Sequence, residues 1–162
     1  MIRMLLKYGL SFIACVLFQG LILNNMELGG FFVPFLYIIF ILSLPFETPS
    51  WLVLILGFIL GIAIDSFTNT LGMHTSATVF LAFCRHYVLK IITPRGGYEF
   101  NTLPRVNDMG ITWYLFYAGT LISLHHLFLF YVESFKLTQF FYTLGRTFAS
   151  TFFTLVLVLI VL

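Results

Sequence analysis

The sequence predicts an all-α polytopic membrane protein, a single domain of six transmembrane helices over residues 1–162, and three observations carry that prediction. Hydrophobic residues make up 60% of the chain and charged residues 9%, far from the roughly one quarter of charged residues usual in soluble domains. Apolar segments recur near 4–23, 31–46, 51–67, 74–92, 111–132 and 138–162, divided by short polar breaks. Basic residues gather at alternate breaks, with Arg3 and Lys7 before the first segment and Lys90, Arg95 and Arg105 after the fourth. By the positive-inside rule both termini are expected in the cytoplasm, leaving 24–30, 66–73 and 133–136 outside with Lys136 as their only basic residue.

Taken in order, the first segment runs on past Cys15, too far for a signal peptide, so an uncleaved helix is expected. Cys15 and Cys84 each fall inside a span without a partner at motif spacing, which points to no disulfide and no metal site. The second segment begins at Pro34, suited to a first helical turn, and must break at Pro45, before Glu47-Thr48-Pro49. Trp51 then marks re-entry at the interface. Between the fourth and fifth segments, 93–110 is the longest polar stretch and is too short for a core of its own, since independent domains need about 50 residues. A net charge of +2 gives no reason to expect nucleic acid.

The chain turns on 57–77, where Gly57, Gly61 and Asp65 recur every four residues and share one helix face. Two missing side chains there admit a neighbouring backbone, so the face is expected to point into protein. Ser66, Thr68, Asn69, Thr70 and Gly72 make a polar turn before His74 opens the next run. Two readings stand side by side: a hairpin whose polar residues simply meet water, or a buried functional cluster.

Small and polar residues also align at helical spacing elsewhere: Ser11, Cys15 and Gln19 in the first span, His74, Thr78 and Arg85 in the fourth, Gly119, Ser123 and His126 in the fifth, and Thr143, Thr147, Ser150 and Thr154 in the sixth. Such stripes are ordinary helix-packing material. Asp65, Arg85 and Arg146 would each cost about 3 kcal/mol or more unpaired at mid-bilayer, so they are expected to pair or snorkel. Helix rise puts Asp65 about 21 Å from Trp51 and Arg146 about 12 Å from the outer start of its span. An outer-half Asp65–Arg146 pair is therefore expected, joined by His74 or His126, while Arg85 snorkels toward Lys90. His125 and His126 point about 100° apart on a helix and cannot chelate one ion from one face. No nucleophile accompanies Asp65 and His74, so no catalytic residue and no cofactor is expected.

The run Pro45-Phe46-Glu47-Thr48-Pro49, then Gly57-Phe58-Ile59-Leu60-Gly61, Asp65, Thr68-Asn69-Thr70 and Leu71-Gly72-Met73-His74 resembles the rod shape-determining protein family MreD, in its shorter, strongly apolar branch. The likeness extends from the first span to Arg95-Gly96-Gly97-Tyr98-Glu99; the last two spans match in kind and length only. What the resemblance implies is a non-enzymatic scaffold in the bacterial inner membrane, serving cell elongation and peptidoglycan synthesis. MreC would be its direct partner, and through MreC it would link MreB filaments to RodA and its penicillin-binding transpeptidase. The family is also similar in expected architecture to the six-helix S-components of energy-coupling-factor transporters, which implies a cavity toward the outer leaflet with Asp65, Asn69 and His74 at its mouth. Short loops make lateral contact in the bilayer the chief means of binding, so a partner helix is expected either on the Ser11, Cys15, Gln19 stripe or on the small-residue face of the third span, and lipid is a further expected partner. The competing reading is a vitamin-type transport subunit that holds a polar ligand with Asp65, His74, Arg85 and Arg146.

Overall fold

Inside a bilayer the backbone must close its hydrogen bonds within the protein, which favours helix, and helix is the only regular element among the described residues. The computed structural model describes residues 2–25, 33–99, 102–134 and 140–161, with side chains from Leu6 onward. The side chain of Arg3, the outer segment 26–30, Lys136 and residues 31–32 and 138–139 of the expected spans lie outside the described residues. The helices are α1 (Ile2–Leu21), α2 (Ile39–Leu42), α3 (Ser50–Thr68), α4 (Met73–Ile91), α5 (Val106–Met109), α6 (Ile111–Ser134) and α7 (Phe140–Val161), with 3-10 turns at Leu23–Asn25 and Leu36–Ile38. Four stretches, Leu6–Asn25, Ser50–Thr68, Ile111–Ser134 and Phe140–Val161, are long and apolar enough to cross a membrane, the mark of a multi-pass helical membrane protein. α4 matches α3 at 19 residues, but Arg85, His86, Lys90 and a polar first turn lower its hydropathy.

α3 and α4 form a tight hairpin, α4 packs on α6, and α6 packs on α7. Glycine sets the hairpin's closeness. A Cβ on Gly61 would overlap the Thr75 backbone, and one on Gly57 would stand 3.1 Å from both the Thr78 carbonyl oxygen and the Ala82 Cβ. Residues 69–72 turn the chain by two left-handed conformations, Asn69 at φ 53° and Gly72 at φ 79°.

The expected second span over 31–46 is not a continuous helix among the described residues. Regular helix there covers only Leu36–Ile38 and Ile39–Leu42, about 12 Å of rise against a hydrocarbon core of about 30 Å. Pro34 lacks an N–H and Pro45 ends the helix, so the segment is irregular at both ends. It is nonetheless the centre of the core: Tyr37, Ile38, Ile41 and Leu42 are fully buried. Its route follows from the helices around it. Gly20 of α1 sits against the Phe67 ring of α3, so α1 and α3 finish at one end of the bundle, and the chain between them has to return. On that return Tyr37 meets His74 near the start of α4, and the Leu44 and Pro45 carbonyls meet Arg85 eleven residues further along it, about 16 Å away by helix rise.

Because the hairpin has no room at Gly61, Gly61→Ala is expected to lower stability by about 1–3 kcal/mol. Gly119→Ala, where a Cβ meets nothing within 4 Å, is expected to leave it unchanged or raise it by up to about 1 kcal/mol. Thermal unfolding midpoints in mild detergent compare the two.

Candidate functional site

Asp65 stands on the last full turn of α3, one short turn away from the first N–H groups of α4, which have no partner within their own helix. Its carboxylate takes them. Oδ1 accepts from the His74 N–H at 3.0 Å and the Thr70 hydroxyl at 2.6 Å; Oδ2 accepts from the Thr75 N–H at 3.0 Å and the Thr75 hydroxyl at 2.5 Å. A negative charge at the positive end of the α4 dipole, with four donors around it, is well satisfied without a cation. Asp65 is thus a helix cap supplied by the neighbouring helix.

Behind this cap runs a buried polar seam that serves the irregular segment. The Gln19 amide of α1 brackets its backbone: Oε1 accepts from the Leu36 N–H at 2.8 Å and Nε2 donates to the Pro34 carbonyl at 3.1 Å. From α7, the Ser150 hydroxyl accepts from the Val33 N–H and the Thr154 hydroxyl accepts from the Phe35 N–H. Thr154 lies 3.2 Å from Nε2 of His126, whose Nδ1 is 2.8 Å from the Ile122 carbonyl. A carbonyl only accepts, so the His126 proton sits on Nδ1 and Nε2 accepts from Thr154.

Tyr37 closes the other side, with its hydroxyl 3.0 Å from Nδ1 of His74 and 2.8 Å from Nε2 of His125. A phenol has one proton, so it donates to one ring and accepts from the other. His125 Nδ1 is buried without a partner among the described residues. Protonating His125 on Nε2 leaves a bare lone pair at Nδ1, whereas the other tautomer would bury an unpaired N–H. The proton order is therefore His125 to Tyr37 to His74. Phe35 packs against the rings of His74, His125 and His126 in the middle of this seam.

The expected Asp65–Arg146 pair is corrected: Arg146 pairs with Glu133 at 3.0 Å and lies over the Phe130 ring at 4.2 Å, while Asp65 caps α4. Length and depth allowed the pair, but the unpaired N–H groups of α4 were nearer than any cation. Arg85 does not snorkel either. It is buried and donates to the Tyr117 hydroxyl at 2.9 Å and to the Leu44 and Pro45 carbonyls at 2.5 and 3.3 Å, while Tyr117 donates to the Leu42 carbonyl. The Leu42 carbonyl at the end of α2 and the Leu44 and Pro45 carbonyls just beyond it are thereby satisfied. His125 and His126 are both fully buried.

Gly57 and Gly61 face α4, and Gln19 faces the irregular segment, so these three hold the bundle's own helices together. Ser11 and Cys15 are half-buried, and both cysteines are free. Among the described residues no three His, Cys, Asp or Glu are grouped to hold a metal. An open groove of about 1200 Å³ does lie at the hairpin end between α3 and α4. Phe58, Ile62, Phe80 and Phe83 wall it, and Asp65, Ser66 and Asn69 border its polar top. Asp65 and Asn69 thus share the groove, whereas His74 turns into the core and His126 and Arg146 stand elsewhere.

Tyr37 went unread in the sequence, although a lone phenol in the most apolar run needs a polar partner. Removing its hydroxyl in Tyr37→Phe is expected to cost about 1–3 kcal/mol, because two buried ring nitrogens lose their partner. Asp65→Asn, which keeps the shape but loses the charge and one acceptor, is expected to cost about 1–2 kcal/mol. Arg146→Gln, which leaves the cap intact, is expected to cost less than either, and unfolding midpoints order the three.

Compared with known proteins, the chain matches no family model, no curated protein and no solved structure.

Proposed function

We propose that this chain is a non-enzymatic scaffold of the bacterial inner membrane, of the kind that the MreD resemblance implies. It would bind MreC and, through it, join MreB filaments to RodA and the transpeptidase that build the elongating wall. The observation that supports this reading best is the use to which the intramembrane polar groups are put. Asp65 gives its lone pairs to α4, Arg85 its protons to the Leu44 and Pro45 carbonyls and the Tyr117 hydroxyl, and His126 both ring nitrogens to Ile122 and Thr154. Groups held this way would have to give up a structural bond to take part in chemistry. What remains for interaction is apolar surface, and the groove between α3 and α4 offers exposed Phe58, Ile62 and Phe83 to a single transmembrane helix.

The same reading takes the chain across the membrane six times, with 33–45 as a broken second passage and both termini in the cytoplasm. The parallel ends of α1 and α3 support it, as does the meeting of Lys7, Arg105 and Val161 around one cavity at the opposite end. Six passages would suit an S-component-like bundle. The vitamin-type transport subunit is the second reading, favoured by the polar top of the groove.

Photo-crosslinking separates the two. A benzophenone amino acid at Phe58 or Phe83 is expected to capture the transmembrane helix of MreC, and one at exposed Phe116 on α6 is not. Crosslinks from Phe116 alone would remove the groove from the reading, and a stoichiometric small molecule retained on purification without MreC would favour transport.

A further inference from the structure

At the end of the bundle opposite the hairpin lies a second cavity, of about 650 Å³, between α1, the α2 segment, the start of α6 and the end of α7. Its lining is divided. Lys7 and Arg105 bring two cations, with the Tyr8 and Ser11 hydroxyls beside them, whereas Ile39, Ile111 and Leu159 are apolar. No acidic side chain is among its lining residues; Glu47, whose charge reaches Tyr8 as Arg105's does, is the nearby acid. From Lys7 to Cys15 the lining follows α1 for about 12 Å by helix rise, from the exposed Lys7 at the interface to a depth where only acyl chains lie outside. Lys7 and Ala14 are both exposed, so the cavity is open to the membrane surface and to the bilayer alike.

We propose that this cavity binds an anionic phospholipid, its phosphate between Lys7 and Arg105 and one acyl chain lying along α1 and α7 toward Cys15. Charge selects the headgroup, since two cations with no acid in the cavity lining attract a phosphodiester in the way basic pockets between transmembrane helices do. Depth selects a lipid over a soluble phosphate: an inorganic anion has no use for an apolar trough of about 12 Å. Lys90 and Arg95 follow α4 toward the same end, and by the positive-inside rule that end faces the cytoplasmic leaflet, where anionic lipids are concentrated. The leaflet rests on the orientation proposed above; the ligand chemistry does not.

The test is titration of delipidated protein with phosphatidylglycerol, phosphatidylcholine or inorganic phosphate, read by native mass spectrometry. Phosphatidylglycerol is expected to bind at least tenfold more tightly than phosphatidylcholine, with affinity falling as ionic strength rises. The double variant Lys7→Gln/Arg105→Gln is expected to lose roughly 30-fold in phosphatidylglycerol affinity, the equivalent of two cations at about 1 kcal/mol each, while Lys90→Gln, outside the cavity, is expected to lose little. Should the double variant not fold, the charge-keeping exchange Lys7→Arg/Arg105→Lys serves with it and is expected to bind as the unsubstituted protein does. Equal binding of the two lipids, no salt dependence, or unchanged affinity in the double variant would overturn the proposal. Inorganic phosphate binding as tightly as the lipid would overturn it too, by assigning the cavity to a soluble anion.

Discussion

Residues 33–45 put irregular backbone at the centre of a membrane-embedded bundle, where no water is at hand and every unpaired N–H or C=O costs several kcal/mol. Much of the remaining structure answers to that constraint. Helices on three sides lend side chains to the segment: Gln19 from α1 to Pro34 and Leu36, Ser150 and Thr154 from α7 to Val33 and Phe35, Arg85 and Tyr117 from α4 and α6 to the carbonyls of 42, 44 and 45. These members of the polar stripes therefore point inward for a reason that has nothing to do with solvent. Gln19, Arg85, Ser150 and Thr154 are the segment's hydrogen-bond partners, whereas Thr78, Ser123 and Thr147 bond carbonyls of their own helices.

The hairpin of α3 and α4 solves a smaller version of the same problem. Two glycines let the helices touch, and the turn between them brings the Asp65 carboxylate onto the free N–H groups of α4. Capping by a neighbouring helix fixes the relative height of the two helices as well as the end of one. It also positions His74, whose Nδ1 meets Tyr37 and ties the hairpin to the irregular segment. Cap, phenol and imidazoles thus form one continuous connection from the hairpin turn to the core.

The long helices were legible because hydropathy and breakers mark them locally. The segments read at 51–67, 74–92 and 111–132 are Ser50–Thr68, Met73–Ile91 and Ile111–Ser134 in the structure. Gly57 and Gly61 were legible as a close-packing face because period and size suffice to say so. The second segment was not, since an apolar run reads alike whether it is a spanning helix or buried irregular chain, and only Pro34 and Pro45 hinted at the latter. Partners of charges were illegible for a different reason. Asp65 and Arg146 were matched by depth and sign, but backbone groups compete for a charge as well as side chains do, and which of them is near depends on the fold. Glu133, 13 residues before Arg146, was the closer acid.

A protein built this way uses its buried polar groups to hold an irregular segment in place, and that is the claim most directly open to measurement. Hydrogen–deuterium exchange in detergent reads the Leu36 amide, which donates to Gln19. In the unsubstituted protein it is expected to exchange as slowly as the interior of α4, and Gln19→Ala is expected to speed it tenfold or more, about 1.4 kcal/mol of lost protection. A Leu36 amide that exchanges freely from the start, or one that Gln19→Ala leaves unchanged, would contradict it.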